Sequence, residues 1–330
     1  MKPPYRLTPE ILSLLAVVSE KSGMLSAFHM DRPKAELRKA NRVRTIHSSL
    51  SIEGNTLSMD QVSAILEGKE VEGPKKDILE VRNAISVYER LDGFKPTRMA
   101  SFLSAHRMFM DGILPSAGKY RTGGVGILKG SKVAHVAPPA SRVHGLMKEL
   151  FTYLKGDKDP ALIKSCVFHY EMEFIHPFED GNGRMGRLWQ TVLLKETNAV
   201  FSQLPVENVI KKKQNEYYRA LGDSDKAGHS TPFIRFMLSA LAEALDEQLL
   251  QRRPVLSAED RIMMFKTIVR DREFSRKEYM RFFTDISSAT ASRDLRNGVS
   301  GKHLVMTGDK RTAVYRYVED GGSESGSGHS

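Results

Sequence analysis

The sequence predicts a mainly α-helical protein that carries a small β-hairpin and ends in a compact segment of mixed helix and strand. Apolar residues recur at helical spacing in long stretches between residues 11 and 250. From Tyr120 to Pro139, the stretch YRTGGVGILKGSKVAHVAPP consists of short β-favouring pieces split by glycines, which predicts a projecting hairpin. After Pro254, three helical pieces precede two β-rich runs around TGDKRT, an order typical of a winged helix.

The chain of 330 residues exceeds one ordinary domain, so several folding units are expected. We expect four regions: an N-terminal helical region over residues 1–92, a helical core with the hairpin over 93–250, a winged-helix-like domain over 255–320 and a disordered tail over 321–330.

Composition narrows the class of protein. No apolar run approaches the roughly 18 residues of a membrane span, and the N-terminal apolar stretch lacks a cleavage pattern, so we expect a cytoplasmic protein without membrane contact. The single cysteine, Cys166, cannot form an internal disulfide and lies in an apolar run, where a buried, inert thiol is expected. The net charge of +10 weakly favours a phosphate-bearing partner.

The most informative stretch is HPFEDGNGRMGR, residues 176–187. Its glycines at positions 181, 183 and 186 match the G-x-G-x-x-G of dinucleotide-binding folds. That fold needs a strand running directly into the first glycine, whereas here five residues follow an apolar helical run before Gly181. The missing strand disfavours a nicotinamide site.

The same stretch predicts a helix, a short polar loop and a second helix that starts near Arg184. The backbone N–H groups from Gly181 onward would then lie at a helix N-terminus, where an anion is stabilised. Arg184 and Arg187 share one helical face and can bind phosphate oxygens. Asp180 offers a hard oxygen for Mg²⁺, and His176, which the following proline should hold extended, can accept a proton. These parts are typical of phosphoryl or nucleotidyl transfer.

Each residue taken alone has a plainer explanation. A histidine at a helix end is more often a cap or a surface group, two arginines three apart often form a solvated face, and Asp180 alone would be a helix cap. His169 has no partner at a suitable spacing, and we expect a core or surface histidine there.

Taken together, residues 176–187 resemble the complete signature of the Fic family, H-x-F-x-[DE]-G-N-G-R-x-x-R, and the resemblance covers roughly residues 35–245. It implies a protein adenylyltransferase that transfers AMP from Mg-ATP to a Tyr, Ser or Thr hydroxyl of a target protein, with pyrophosphate leaving. The substrate would be ATP, the metal Mg²⁺, and the target segment extended.

The resemblance also implies a role for each matching position. His176 would be the base that deprotonates the target hydroxyl. Asp180 would hold Mg²⁺, and Phe178 would anchor the loop. Asn182 would be the second catalytic residue and would form part of the anion hole at the α-phosphate.

The remaining implied roles concern the phosphates of ATP. Gly181 and Gly183 would let the backbone approach them, with the backbone of Gly183 completing the anion hole. Arg184 would bind on the β-phosphate side, and Arg187 would bind the γ-phosphate.

Two further stretches have implied roles with open alternatives. The hairpin corresponds in position to the family's flap, which binds an extended target segment by main-chain hydrogen bonds, and a plain structural hairpin is the alternative. Tyr217 and Tyr218 lie in a stretch near the adenine in the family, and helical core packing is an equal alternative.

A second motif, SSLSIEGNTLSMDQ, lies near the N-terminus. Gly54 is expected to end a helix as a C′ glycine, and Ser58 with Gln61 resembles a capping box that opens the next helix. Glu53 is unusual because a carboxylate in the last turn faces the negative end of the helix dipole. Neither Ser49 nor Leu50, which lie four and three positions before it, is a cation. An arginine from elsewhere in the chain would offset this unfavourable interaction of the carboxylate with the helix dipole.

This stretch resembles the family's inhibitory signature, [ST]-x-x-x-E-[GN], with Ser49 and Glu53 at the defined positions. The resemblance implies that Glu53 pairs with Arg187 and so prevents productive ATP binding. In some relatives the same glutamate helps to remove AMP from the target, and the sequence leaves the direction of the reaction open.

The C-terminal segment supports an alternative of a different class. Residues 254–320 contain 13 lysines and arginines against 10 acidic residues, a net charge of +3. Arg293 and Arg296 on the expected recognition helix and GDKR in the wing would serve a DNA-binding regulator with a Fic-like nucleotide-sensing core. The small charge excess favours a protein-contact or dimerisation module over DNA binding. Homodimer formation is left open.

Overall fold

The computed structural model describes residues 2–27, 35–124, 126–129, 132–251, 257–284, 286–309 and 312–318. The chain divides into two compact units, Met1–Arg252 and Arg253–Ser330. Helices dominate both units, and the mainly α-helical fold class is confirmed. The tail expected over 321–330 lies outside the described residues.

The first unit is built from helices and one hairpin. Its helices in the described residues are α1 (Pro9–Ala27), α2 (Ala35–Ile52), α3 (Met59–Leu66), α4 (Lys75–Glu89), α5 (Met99–Phe109), α6 (Ala140–Gly156), α7 (Ala161–Ile175), α8 (Asn182–Lys195), α9 (Val206–Lys212), α10 (Gln214–Ala227) and α11 (Thr231–Gln251). Strands β1 (Gly126–Lys129) and β2 (Lys132–Val136) pair antiparallel, so the predicted hairpin is confirmed.

Helices α7 and α8 pack against each other at the centre of this unit, and nearly every residue of α8 is buried. An aromatic cluster holds them in place: the Phe102 ring lies 5.1 Å from that of Trp189 and 5.9 Å from that of Phe168. The Trp189 indole also donates to the carbonyl of Pro96 over 3.0 Å. The loop between α7 and α8, which contains the Fic-like motif, therefore starts and ends on rigid core elements.

Helix α2 ends as its sequence predicts. The amide of Asn55 donates to the carbonyl of Leu50, and Gly54 has a φ of 93°, which is the geometry of a glycine-terminated helix. The capping box of Ser58 and Gln61 opens α3. These two signals fix where the chain turns after the N-terminal motif.

The second unit has its own hydrophobic core. Its elements are α12 (Ala258–Val269), β3 (Phe274–Ser275), α13 (Arg276–Phe282), α14 (Ser288–Ser300), β4 (Leu304–Thr307) and β5 (Val314–Tyr317). The strands form an antiparallel sheet in the order β3, β5, β4. This is the winged-helix-like order of elements that the sequence predicts.

A buried ion pair ties two helices of the second unit together. Arg261 on α12 donates from Nε and Nη2 to the two carboxylate oxygens of Asp294 on α14, over 2.6 and 2.9 Å.

None of the helices in the described ranges is long and apolar enough to cross a bilayer.

Candidate active site

The motif loop begins with His176 in a left-handed conformation, with φ 48° and ψ 62°. The expectation that Pro177 holds His176 extended is therefore wrong. The His176 amide still donates to the carbonyl of Met172 over 3.0 Å, so the residue closes the last turn of α7. A left-handed residue is the common way to leave a helix, and it also avoids the right-handed region that a following proline disfavours.

Helix α8 begins at Asn182, two residues earlier than the sequence suggests, with Gly181 as its N-cap. Gly181 has a φ of 85°, and a Cβ there would lie 2.9 Å from the sulfur of Met110, so this position requires glycine. Within the described residues, the amides of positions 182 to 184 donate no hydrogen bond. These N–H groups are therefore available to an anion at the helix N-terminus where the sequence predicts such a site.

The side chain of Asn182 closes the loop. Its Oδ1 accepts from the amide of Phe178 over 2.9 Å, and its Nδ2 donates to the carbonyl of Phe178 over 2.9 Å. One N–H of Nδ2 and one lone pair of Oδ1 are thus used within the loop, and the backbone N–H of Asn182 lies at the start of α8. The anion-hole role implied for Asn182 stays a prediction. Phe178 is fully buried, as expected of an anchor.

Asp180 and Arg184 form an ion pair at the start of α8. The Asp180 Oδ1 accepts from the amide of Gly181 over 2.5 Å and from Arg184 Nη2 over 3.1 Å. The Asp180 side chain is half-exposed, whereas Arg184 is buried. The described residues contain no cluster of three or more metal-ligating side chains, so a magnesium ion at Asp180 would need phosphate and water oxygens for its other ligands.

Arg184 makes a second ion pair that the sequence did not suggest. Its Nη1 donates to Oε1 of Glu80 on α4 over 3.2 Å. Glu80 is buried, and its Oε2 accepts from Nδ2 of Asn55 over 2.9 Å. The carboxylate of Glu80 therefore connects Asn55, the residue after Gly54 at the end of α2, to Arg184 on α8.

Arg187 is buried beneath the last turn of α2. Its Nη2 donates to Oε1 of Glu53 over 2.7 Å and to the carbonyl of Ser49 over 2.9 Å, and its Nε donates to Oγ of Ser49 over 3.1 Å. Burial by itself would lower the pKa of Arg187, but the negative charge of Glu53 outweighs it and the pKa rises. Arg187 is therefore the arginine that the sequence predicts as the partner of Glu53 in the last turn of α2.

Glu53 also lies over the N-terminus of α8. A Cβ on Gly183 would collide with the carboxylate of Glu53 and lie 3.0 Å from Nη1 of Arg187. The glycine thus leaves room for an anionic group directly against the helix end, and in this structure the carboxylate of Glu53 fills that space.

Gly186 allows α8 to pack closely against α7. A Cβ on Gly186 would lie 2.7 Å from Cδ2 of His169 on α7. His169 is fully buried, its Nδ1 lies 2.7 Å from Oε1 of Gln190, and burial lowers its pKa to about 3. Of the two expectations for His169, the core histidine is confirmed.

The two tyrosines of α10 have different surroundings. Tyr217 is buried, and its hydroxyl lies 3.1 Å from Nε2 of His169. Its ring packs in the core and is not available to an adenine, so Tyr217 is corrected to a core residue. Tyr218 is 39% exposed and remains a candidate for a nucleotide contact. Cys166 is fully buried, and burial raises its pKa to about 12, in line with an inert thiol.

Sequence inspection did not suggest His106 on α5. Its ring stacks on Phe178 with centroids 3.6 Å apart, and its Nε2 lies 2.9 Å from the carbonyl of Asp180. The amide of Gly118 donates to its Nδ1 over 2.9 Å, so Nε2 must carry the proton. Burial lowers the pKa of His106 to about 4, which keeps this tautomer neutral. No local signal marks His106, because its partners lie up to 74 residues away.

Comparisons with known proteins find the family that residues 176–187 resemble. Residues 97–194 match the family model described as Fic/DOC family. The crystal structure of a Fic family protein from Desulfovibrio desulfuricans G20 is 38% identical, covers 97% of this chain and 99% of that chain, and superposes with a TM-score of 0.74. A structure of Fic-1 from C. elegans, 21% identical over 73% of this chain and 71% of that one, shares the fold with a TM-score of 0.58.

Two curated relatives carry the name protein adenylyltransferase Fic. The protein from Drosophila grimshawi is 28% identical over 250 residues, which cover 70% of this chain and 48% of that protein. The protein from Nematostella vectensis is 29% identical over 217 residues, covering 62% of this chain and 48% of that protein. The chain spans about half the length of the curated relatives it matches.

Proposed function

Because the chain belongs to the Fic family, we propose that it is a protein adenylyltransferase, which transfers AMP from ATP to a hydroxyl side chain of a target protein. The observation that carries this proposal is the N-terminus of α8, where free backbone N–H groups, two buried arginines and a half-exposed carboxylate follow directly after His176. The relatives named adenylyltransferases support the reaction class.

In the proposed reaction, the His176 imidazole accepts the proton of the target hydroxyl. The hydroxyl oxygen attacks the α-phosphorus, the bond from that phosphorus to the bridging oxygen breaks, and pyrophosphate leaves with the bond electrons. The backbone N–H groups of Asn182 and Gly183 stabilise the charge on the α-phosphate. Asp180 would hold Mg²⁺, which neutralises phosphate charge.

Glu53 restrains this site in our proposal. It binds the arginine that the γ-phosphate needs, and it fills the space against Gly183 that the phosphates would enter. We also assign Glu53 a role in the hydrolytic removal of AMP from a modified target: its carboxylate would orient the water that attacks the phosphorus, so that the bond to the target oxygen breaks and AMP is released. The direction is tested by incubating an AMP-modified target with the unmodified chain and with Glu53→Gly.

The target hydroxyl is a Tyr, Ser or Thr in an extended segment. Hairpin β1–β2 is a two-stranded sheet that pairs with no third strand in the part of the chain that the structure describes, so an extended segment can join its edge by main-chain hydrogen bonds. Main-chain hydrogen bonds hold such a segment whatever its side chains are, so this contact selects an extended backbone and not a particular target sequence.

The test of the proposed function uses labelled ATP and three forms of the chain. Glu53→Gly should label itself or lysate proteins more strongly than the unmodified chain, because Arg187 becomes free for the γ-phosphate. Adding His176→Ala to that variant should abolish labelling. No gain in Glu53→Gly would contradict the restraint, and undiminished labelling after loss of His176 would contradict the base.

One observation keeps nucleic-acid binding as a second candidate function for the C-terminal unit. A cavity of about 510 Å³ lies between α13, α14 and β5, and its lining within the described residues contains no acidic side chain. Three cations and three hydroxyl-bearing residues line it together with Met280 and Ala313: Arg276, Lys277, Arg281, Ser275, Ser292 and Tyr315. Asp294 is buried against Arg261 and so adds little to the surface charge. Phosphate contacts of this kind weaken steeply with salt.

A gel shift with the full chain tests this candidate. The unmodified chain should retard a labelled DNA duplex at low salt, and Arg276→Glu with Lys277→Glu should not. Absence of retardation by the unmodified chain at low salt removes the candidate.

A further inference from the structure

Arg121, at the base of the hairpin, is a buried cation that binds main-chain carbonyls. It is 3% exposed. Its guanidinium donates to His176 O from Nε over 2.7 Å, to Gly123 O from Nη1 over 2.8 Å, and to Pro138 O from Nη2 over 2.5 Å. A fourth, longer bond runs from Nη2 to the carbonyl of Ile175 over 3.3 Å.

No carboxylate accepts from Arg121 within the described residues. A buried cation without a counter-ion is costly unless its donors are satisfied, and burial indeed lowers the pKa of Arg121. Carbonyl oxygens accept all of its bonds instead. A planar guanidinium directs its donors at fixed angles, so these carbonyls are held at fixed positions relative to one another.

The carbonyls belong to two parts of the proposed active site. His176 and Ile175 end α7 and lead into the motif loop, and the Arg121 amide donates to the next carbonyl, that of Pro177, over 2.9 Å. His176 has positive φ, which is unfavourable for a residue with a side chain. The bond to its carbonyl orients the peptide that follows and so stabilises the left-handed conformation.

The other two carbonyls belong to the two ends of the hairpin. Gly123 precedes β1 and Pro138 follows β2, and the first strand pair, Gly126 with Val136, lies just beyond them. One guanidinium therefore joins both ends of the hairpin to the backbone of the proposed base. A sliding or tilting of the hairpin relative to His176 would have to break these bonds.

We propose that Arg121 is a positioning residue, which fixes the hairpin that receives the target in register with His176. This inference rests on the proposed function. Arg121 does not touch ATP in this role; it sets the distance between the target hydroxyl, carried by the hairpin, and the imidazole that accepts its proton. The proposal therefore predicts that loss of Arg121 impairs transfer while ATP binding is retained.

The experiment compares Arg121→Met with Arg121→Lys, both in the Glu53→Gly background. Arg121→Met should lower the rate of AMP transfer at saturating ATP at least tenfold, while the Kd of a fluorescent ATP analogue changes less than about threefold. Arg121→Lys keeps the charge and can reach some of the carbonyls, so its transfer rate should be intermediate. Arg142→Met, an exposed arginine just after the hairpin on α6, should match the parent.

Hydrogen exchange supplies a readout that does not depend on activity. Arg121→Met should speed amide exchange in Gly126–Val136 and at residues 175–177, and the Arg142 variant should not. Equal losses of ATP binding and transfer, or parental transfer with unchanged exchange, would overturn the positioning role. If the Glu53→Gly parent transfers no AMP, the proposed function fails, and exchange alone still decides whether Arg121 holds the hairpin and His176 together.

Discussion

Nη2 of Arg187 on α8 donates to Oε1 of Glu53 at the end of α2 over 2.7 Å, and the arginine in this pair is 1% exposed. The two residues are 134 positions apart. In the proposed function, the pair lies at the place where the chain must also bind the phosphates of ATP.

Glu53→Gln should bind ATP more tightly than the unmodified chain. The substitution keeps the volume and removes the negative charge that competes with the γ-phosphate for Arg187. We expect a Kd for Mg-ATP at least about tenfold lower, equivalent to ~1.4 kcal/mol. Titration calorimetry measures this, with Glu36→Gln at the exposed start of α2 as control. Identical Kd values for all three forms would show that Glu53 does not compete with ATP.

Glu80→Gln should weaken both folding and ATP binding. Glu80 orients Arg184 and is itself held by Asn55; Glu80 and Arg184 are buried, and Asn55 is half-buried. Replacing a charged acceptor by a neutral amide should cost about 1.5–3 kcal/mol of unfolding free energy, and the Kd for ATP should rise several-fold. Urea unfolding and ATP titration test this, with the exposed Glu89→Gln on the same helix as control. A tighter Kd would instead make Glu80 a second restraint.

His106 should make the fold sensitive to mild acid. Its pKa is lowered to about 4 in the folded chain against an ordinary value of 6.5, so the unfolded chain binds the proton more readily. Stability is then full above pH 6.5 and is lost as the pH falls towards 4. The loss from pH 7.5 to pH 5 should be about 2 kcal/mol.

The measurement for His106 is the unfolding free energy at both pH values for the unmodified chain and for His106→Gln. The variant should be less stable at pH 7.5 and should lose less on acidification, because it lacks the imidazole. His169 titrates in both forms and cancels in the comparison. Equal pH dependence in the two forms would contradict the assigned neutral tautomer.

Gly186→Ala should destabilise the chain, because its Cβ would press on buried His169 at the α7–α8 contact. We expect a cost of about 1–3 kcal/mol. Gly222→Ala is a matched control within α10: its Cβ would meet nothing within 4 Å, and alanine should stabilise the helix by about 0.5–1 kcal/mol. Opposite signs in thermal unfolding confirm that Gly186 is there for close packing, whereas a stabilising Gly186→Ala would exclude it.

The sequence predicts correctly those structural features that depend on residues only a few positions apart. The glycine at the end of α2, the capping box of Ser58, the hairpin and the loop between two helices all depend on backbone geometry and on side chains three or four positions apart. The resemblance to the Fic signature supplied roles for the motif residues, and it also named the partner of Glu53. Two local expectations failed: His176 is left-handed, because capping α7 outweighs extension before a proline, and α8 starts at Asn182.

The order of residues 176–187 already indicates which groups share the motif loop and why they suit phosphate. The contacts that hold these groups in place come from the packing of distant helices. Glu80, His106 and Arg121 contact residues of the motif, 176–187, across separations of 104, 74 and 55 residues. Tyr217 is taken into the core for the same kind of reason, by a contact with His169. Such contacts depend on how whole helices pack, and no pattern within one segment encodes the position of another.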